Sequence, residues 1–255
     1  MVSNGDNTVI KLRSSNGAVL GTFAVGSKPG KVAFDGANVW ITNSQSESVT
    51  ELRASDGSVL GTFATGNGPN GIAFDGANIW IANTNDNTVT KLRASDGSLQ
   101  GTFAVASMPS DLAFDGTNMW VTVGGSGAIV KLRASDGTIL GTFAVGNQPR
   151  AVAFDGANMW VTNSSDNTVT KLRASDGTNL GTFSSMGTTP QSIVFDGTSI
   201  WVGNFSTGSV TELRATDGTP IGTFPVPGGV VNWLAFDGAN IWASHSTFPG
   251  TVSKL

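Results

Sequence analysis

The sequence predicts an all-β fold made of one four-stranded unit copied along the chain, and three observations predict it. The stretch Val152-Ala-Phe-Asp-Gly-Ala-Asn-Met-Trp160-Val-Thr-Asn-Ser-Ser-Asp-Asn-Thr-Val-Thr-Lys171-Leu-Arg-Ala-Ser-Asp-Gly177 returns in variant form along the whole chain. Its spacing is about forty residues, and a fixed period in that range marks one supersecondary unit whose copies bury their apolar faces against each other. Inside the unit the apolar period is two, in short runs rich in β-branched and aromatic residues, as half-buried strands require. Asp-Gly dipeptides separate the runs in pairs: Gly accepts the positive φ of a tight hairpin and Asp can bond its own backbone.

The elements follow in order. Strand A spans 152–154, the Asp155-Gly156 turn leads to strand B over 159–162, strand C covers 168–173, and Asp176-Gly177 turns into strand D over 180–185. Four antiparallel strands per repeat, with one Trp in each, predict a propeller blade. Met1-Val-Ser-Asn4 falls in the strand B slot, residues 8–13 in that of C and 20–25 in that of D. Five complete units follow, with A strands near Val32, Ile72, Leu112, Val152 and Ile193, and a sixth begins at Leu234 and stops in strand C. The expectation is therefore a six-bladed β-propeller of four-stranded antiparallel blades, one domain over residues 1–255, closed by N- and C-terminal segments in the last blade. Strands A and B over 233–244 would join strand D over 19–25, removing open edges. One of the two spare C strands, 8–13 or 251–255, would be displaced.

Trp160-Val161-Thr162-Asn163, the upstream Pro149 and the following Asp166-Asn167-Thr168-Val169 resemble the YVTN-type repeat of surface-layer (YncE-like) propellers, with Trp in the Tyr slot. The resemblance covers essentially the full chain and extends more distantly to NHL-type and streptogramin-lyase-like propellers. It implies a propeller and mostly a binding or surface role, and it leaves the ligand open.

Composition narrows the function. The chain has 34 Gly, no Cys and no Tyr. Without Cys there are no disulfides, thiolate nucleophiles or Cys-type metal sites. No apolar run is long enough to span a membrane and no leader is visible, so an extracellular or cell-surface location would follow only if the parent carries one. A net charge of -4 argues against a nucleic-acid partner, which needs a clustered positive face. The lone His245 stands where other copies carry Asn43, Asn83, Asn163 and Asn204, so it reads as a substituted strand-end polar group rather than a general base. A streptogramin-lyase-like mechanism would resemble a base assisted by further His or Glu and a metal; there is no second His, and Glu occurs only at 47, 51 and 212. Most Asp residues belong to Phe-Asp-Gly and Ser/Thr-Asp-Gly turns. Asp86-Asn87 and Asp166-Asn167 are isolated, whereas a calcium cage needs about six oxygen ligands. No enzyme activity, cofactor or metal is expected.

Antiparallel order puts the A–B and C–D turns at one end of each blade and the B–C and D–A connections at the other. The first end is nearly uniform; the second carries most of the variation. Lys28, Lys31, Arg150 and Trp233 fall in D–A connections, and Phe205, His245 and Phe248 in B–C connections. Loops on a rigid scaffold concentrate binding residues, so these seven form the candidate ligand site, an aromatic patch flanked by cations. Alternatively, Trp233 and Phe248-Pro249-Gly250 only pack an irregular closing seam. The expectation is a monomeric, non-catalytic binding or scaffold propeller for a small molecule, glycan or protein surface. A lyase- or hydrolase-like enzyme at the channel mouth and an engineered or consensus symmetric repeat protein without a ligand stay as alternatives.

Overall fold

The computed structural model describes residues 1–245 and 251–255. Among these residues the strands form seven antiparallel sheets, each of sequential neighbours. The first holds β1 (Val2–Ser3), β2 (Thr8–Leu12) and β3 (Val19–Ala24). The second holds β4 (Pro29–Phe34), β5 (Asn38–Asn43), β6 (Ser48–Arg53) and β7 (Val59–Ala64), and the third β8 (Pro69–Phe74), β9 (Asn78–Asn83), β10 (Thr88–Arg93) and β11 (Leu99–Ala104). The fourth holds β12 (Pro109–Phe114), β13 (Asn118–Val123), β14 (Ala128–Arg133) and β15 (Ile139–Ala144), with a 3-10 turn at Gly124–Ser126. The fifth holds β16 (Pro149–Phe154), β17 (Asn158–Asn163), β18 (Thr168–Arg173) and β19 (Asn179–Ser184). The sixth holds β20 (Pro190–Phe195), β21 (Ser199–Asn204), β22 (Ser209–Arg214) and β23 (Pro220–Pro225). The last holds β24 (Val231–Phe236), β25 (Ile241–His245) and β26 (Val252–Lys254).

This corrects the six-bladed expectation and its shared closing blade. Counting A strands misses the first sheet, which forms without one: β1 pairs with β2, and β2 with β3. The Met1 ammonium donates to the Ile10 carbonyl at 2.8 Å while Ile10 N donates to the Met1 carbonyl at 2.7 Å, extending the short β1 ladder. At the other end β26 pairs with β25. The two C strands each keep a sheet of their own, so neither is displaced.

The inner strands also begin earlier than alternation suggests. In β16 Pro149 pairs with Asn163 and the register slips before Val152. A bulge breaks the two-residue period, and Pro, lacking an N–H, suits the first strand position. Lys31, Arg150 and Trp233 consequently lie in strands rather than in connections.

The chain divides into two compact units, Met1–Val121 with Leu132–Ile139 and Thr122–Lys131 with Leu140–Leu255. In the first, Trp40, Val49, Ile72, Ile79, Ile81 and Leu92 form a buried cluster with Phe63 and Phe74 against it. In the second, Trp160, Val169, Ile193, Ile200, Val202 and Leu213 do the same with Phe183 and Phe195. Middle strands such as β9 and β17 are buried nearly throughout, because both faces are covered, whereas outer strands such as β7 and β19 stay largely exposed. Phe63 stacks on Trp40 at 5.5 Å, and Phe183 lies against Trp160 at 5.7 Å.

Candidate functional site

The uniform end is built from one repeated set of bonds. In the second sheet Asp35 Oδ1 accepts the amides of Ala37 (2.8 Å) and Asn38 (2.7 Å), an Asx-type turn, while Oδ2 accepts Trp40 Nε1 at 2.8 Å. The same indole bond joins Trp80 to Asp75, Trp120 to Asp115, Trp160 to Asp155, Trp201 to Asp196 and Trp242 to Asp237 at 2.6–2.8 Å. Burial raises the carboxyls of Asp35, Asp75, Asp155 and Asp196, yet the bonds from Trp and backbone amides outweigh it and hold all four below the ordinary value.

Strand C adds a latch to the next sheet's turn. Lys11 Nζ donates to the Ala54 carbonyl at 2.8 Å and to Ser55 at 3.2 Å. Lys91 reaches Ala134 (2.6 Å) and Ser135 (3.4 Å), Lys131 reaches Ala174 (2.7 Å) and Ser175 (3.4 Å), and Lys171 reaches Ala215 (2.7 Å) and Thr216 (2.9 Å). Lys91 also lies over the Trp80 ring at 4.9 Å, and Lys171 over Trp160 at 4.8 Å.

The variable end is held differently. Asn7, Asn87 and Asn167 are left-handed at the end of their B–C turns, and their Oδ1 atoms accept the amides of Lys28 (2.9 Å), Met108 (2.9 Å) and Thr189 (2.8 Å) in the D–A connections. Lys28, Met108 and Thr189 are themselves left-handed, a costly conformation for non-Gly residues that this bond supports. Asp86 and Asp166 accept the amides of Asn67 (2.8 Å) and Asn147 (2.6 Å), so the Asp-Asn pairs tie turn to connection. Among the described residues no three His, Cys, Asp or Glu side chains gather in a metal-binding group.

In the first unit, Lys28 is exposed and Lys31 is not. Lys31 Nζ meets Asp111 Oδ1 at 2.6 Å, with side chains only 11% and 14% exposed. The two residues occupy the same register position in β4 and β12, and Gly71 occupies it in the intervening β8. A Cβ on Gly71 would come within 2.6 Å of the Ser110 carbonyl and 2.7 Å of Asp111 Cα, so only glycine lets β12 pack this closely on β8. Thr42 Oγ1 accepts Lys31 N at 2.9 Å and donates to the Asn70 carbonyl at 3.0 Å. Sequence analysis picks out Lys31 without its partner; the eighty-residue separation of Lys31 and Asp111, two repeats, is the signal that the sequence holds.

In the second unit, Trp233 of β24 is 38% exposed and Arg150 of β16 is exposed, while Phe205 is half-buried and its amide donates to the Thr189 carbonyl at 3.0 Å. His245 is buried at the end of β25. Its Nδ1 faces the Val230 carbonyl at 3.1 Å, which only accepts, so Nδ1 carries a proton, and Nε2 lies 2.9 Å from the Ser253 hydroxyl, which also donates to the Pro227 carbonyl at 3.3 Å. Ser253 is the counterpart of Thr50, which accepts from Asn43 Nδ2 at 2.9 Å; His245 thus makes the strand-end bridge that Asn makes in other copies. β24 pairs with β25, bringing Trp233 opposite Ser244, next to His245. Phe248 lies outside the described residues.

Seven antiparallel sheets of this repeated pattern define an all-β propeller of seven blades. Over 94% of its length the chain is similar to a catalytically inactive virginiamycin B lyase from Staphylococcus aureus with quinupristin, at 18% identity, a TM-score of 0.81 and 85% of that chain. Over 96% it is similar to the dihydro-heme d1 dehydrogenase NirN in complex with DHE, at 17% identity and a TM-score of 0.75, spanning 58% of that chain. At these identities the likeness shows the fold alone. Residues 85–229, more than half of the chain, match the family of outer membrane protein assembly factor BamB, and the chain belongs to that family. No curated protein matches it. The YVTN-type likeness of Trp160 to Asn163 stays a resemblance of the repeat motif.

Proposed function

We propose that this protein is a non-catalytic binding or scaffold propeller that recognises a protein surface with the strand ends carrying the D–A connections and B–C turns. The observation that carries this reading is the contrast between the two ends. At the uniform end the Asp and Trp side chains repeat the same bond in six sheets and lysines repeat theirs in four, whereas the other end sets different side chains on the same frame. Among the seven candidate residues, Arg150, Phe205 and Trp233, all of the second unit, are the contact residues, and Lys28 is an exposed residue of the first. Lys31 and His245 act by holding the strands: one is in an ion pair and the other bridges Val230 and Ser253. Phe248 keeps its place in the proposal from sequence alone. The family's name, an assembly factor, supports a scaffold role and a protein partner over a small-molecule substrate.

The test is a thermal-shift panel of extended peptides, glycans and small aromatic compounds, because a ligand that binds only the native state must raise its apparent stability. Peptides should shift the wild type, and Trp233→Ala or Arg150→Ala should abolish the shift. A shift that survives both substitutions, or one confined to a compound that the protein turns over, contradicts the reading.

A further inference from the structure

Two sheets depart from the lysine latch, with Glu51 in the second and Glu212 in the sixth at the lysine position, and the second is the one beside a groove. Glu51 pairs with Trp40 in the register that sets Lys91 against Trp80 and Lys171 against Trp160. The latch lysines reach carbonyls 43 and 44 residues ahead in three of the four cases. The carbonyls at those offsets from Glu51 are those of Ala94 and Ser95, so an acid stands where the lysine-bearing repeats bring an ammonium to two carbonyls. Glu51 is 7% exposed, and its Oε1 accepts Asn38 Nδ2 at 2.8 Å. Burial and then the charge of Asp35 push its carboxyl above the ordinary value, against the Asn38 bond. These groups together form an acceptor-rich place without the cation its counterparts hold.

A groove of about 470 Å³ opens beside this place, lined by Asp35, Asn38, Asn78, Arg93, Ala94 and Ser95 among others; Glu51 is not in its wall and lies behind Asn38, whose Nδ2 it accepts. That volume is within the range of small-ligand clefts. Arg93, the cation on its wall, is turned to Asp96 at 3.1 Å and Gln100 at 3.3 Å. We propose that the groove binds a primary ammonium group, supplied by a small alkylamine or by a lysine side chain of a partner. It would donate to the Ala94 and Ser95 carbonyls, as the chain's own lysines donate to theirs elsewhere, with the Glu51 carboxylate behind Asn38 as its counter-charge. One charge carrying several N–H donors fits that pair of acceptors and that counter-charge.

Isothermal titration calorimetry with n-butylammonium tests the site on the full chain. Saturable binding is expected in the wild type and about tenfold weaker binding in Glu51→Gln, which loses the counter-charge. Tetramethylammonium, which has the charge but no N–H, should not bind. Glu51→Lys should abolish binding and raise the melting temperature without amine, because the new side chain completes the latch. A lysine peptide that binds where its acetylated form does not would assign the partner source; equal binding of the two would leave the free amine as the source. The proposal is overturned by absence of saturable amine binding, by unchanged binding in Glu51→Lys, or by a response to CaCl2 in place of the amine.

Discussion

Asp155 shows how a turn residue becomes a core residue: one oxygen closes the turn onto the amides of Ala157 and Asn158, and the other takes the Trp160 indole at 2.7 Å. The Asp-Gly signal made the turn legible in the sequence; the indole bond was not, because it depends on strand B bringing the ring back over the turn. Asp35, Asp75, Asp155 and Asp196 are all held below the ordinary aspartate value. The unfolded chain therefore binds more protons than the folded one below about pH 4, and stability must fall as the pH drops through that window. Melting temperatures measured from pH 5 to pH 2 should show this loss, and a flat profile would contradict it. Lys31 gives a second expectation at this scale. Replacing it with Ala leaves Asp111 nearly buried without its cation and should cost roughly 3 kcal/mol in chemical denaturation, where an exposed lysine would cost almost nothing.

At the scale of the element, strands B, C and D could be read from their alternation and Asp-Gly boundaries, and the start of strand A could not. Pro29, Pro69 and Pro149 open inner strands whose next two residues are out of register, so the period-two signal begins only at the fourth residue, and after Pro190 the ladder resumes at Ser192. The outer strand depends on a close approach that sequence does not show. The Phe63 ring lies against the Asp-Gly turn of the next sheet, where a Cβ on Gly97 would come within 1.9 Å of it, and Gly97 also has a φ of 68°. Gly97→Ala should thus destabilise through both clash and backbone strain, by about 1–3 kcal/mol or more. Gly76→Ala, at a positive φ with open space around it, should show the backbone part alone. Equal effects in urea titrations would mean that the Phe63 contact is not restrictive.

At the scale of the molecule, the repeat made the propeller legible and miscounted its blades. The count rested on Phe-Asp-Gly, which the first sheet lacks, while three strands there still satisfy one another's backbone groups. The variable end was equally legible as a set of residues. What each does was not: Lys31 turns toward Asp111 across β8, and His245 takes over the bridge of an Asn. The central claim is that one end holds the frame while the other is available for recognition. The direct measurement is the stability of Trp233→Ala beside that of Trp160→Ala. Trp160 is fully buried and bonded to Asp155, and its loss should cost about 3–5 kcal/mol. Trp233, more than a third exposed, should leave stability within about 1 kcal/mol of the wild type. Comparable losses in the two variants would place Trp233 in the core and contradict the account.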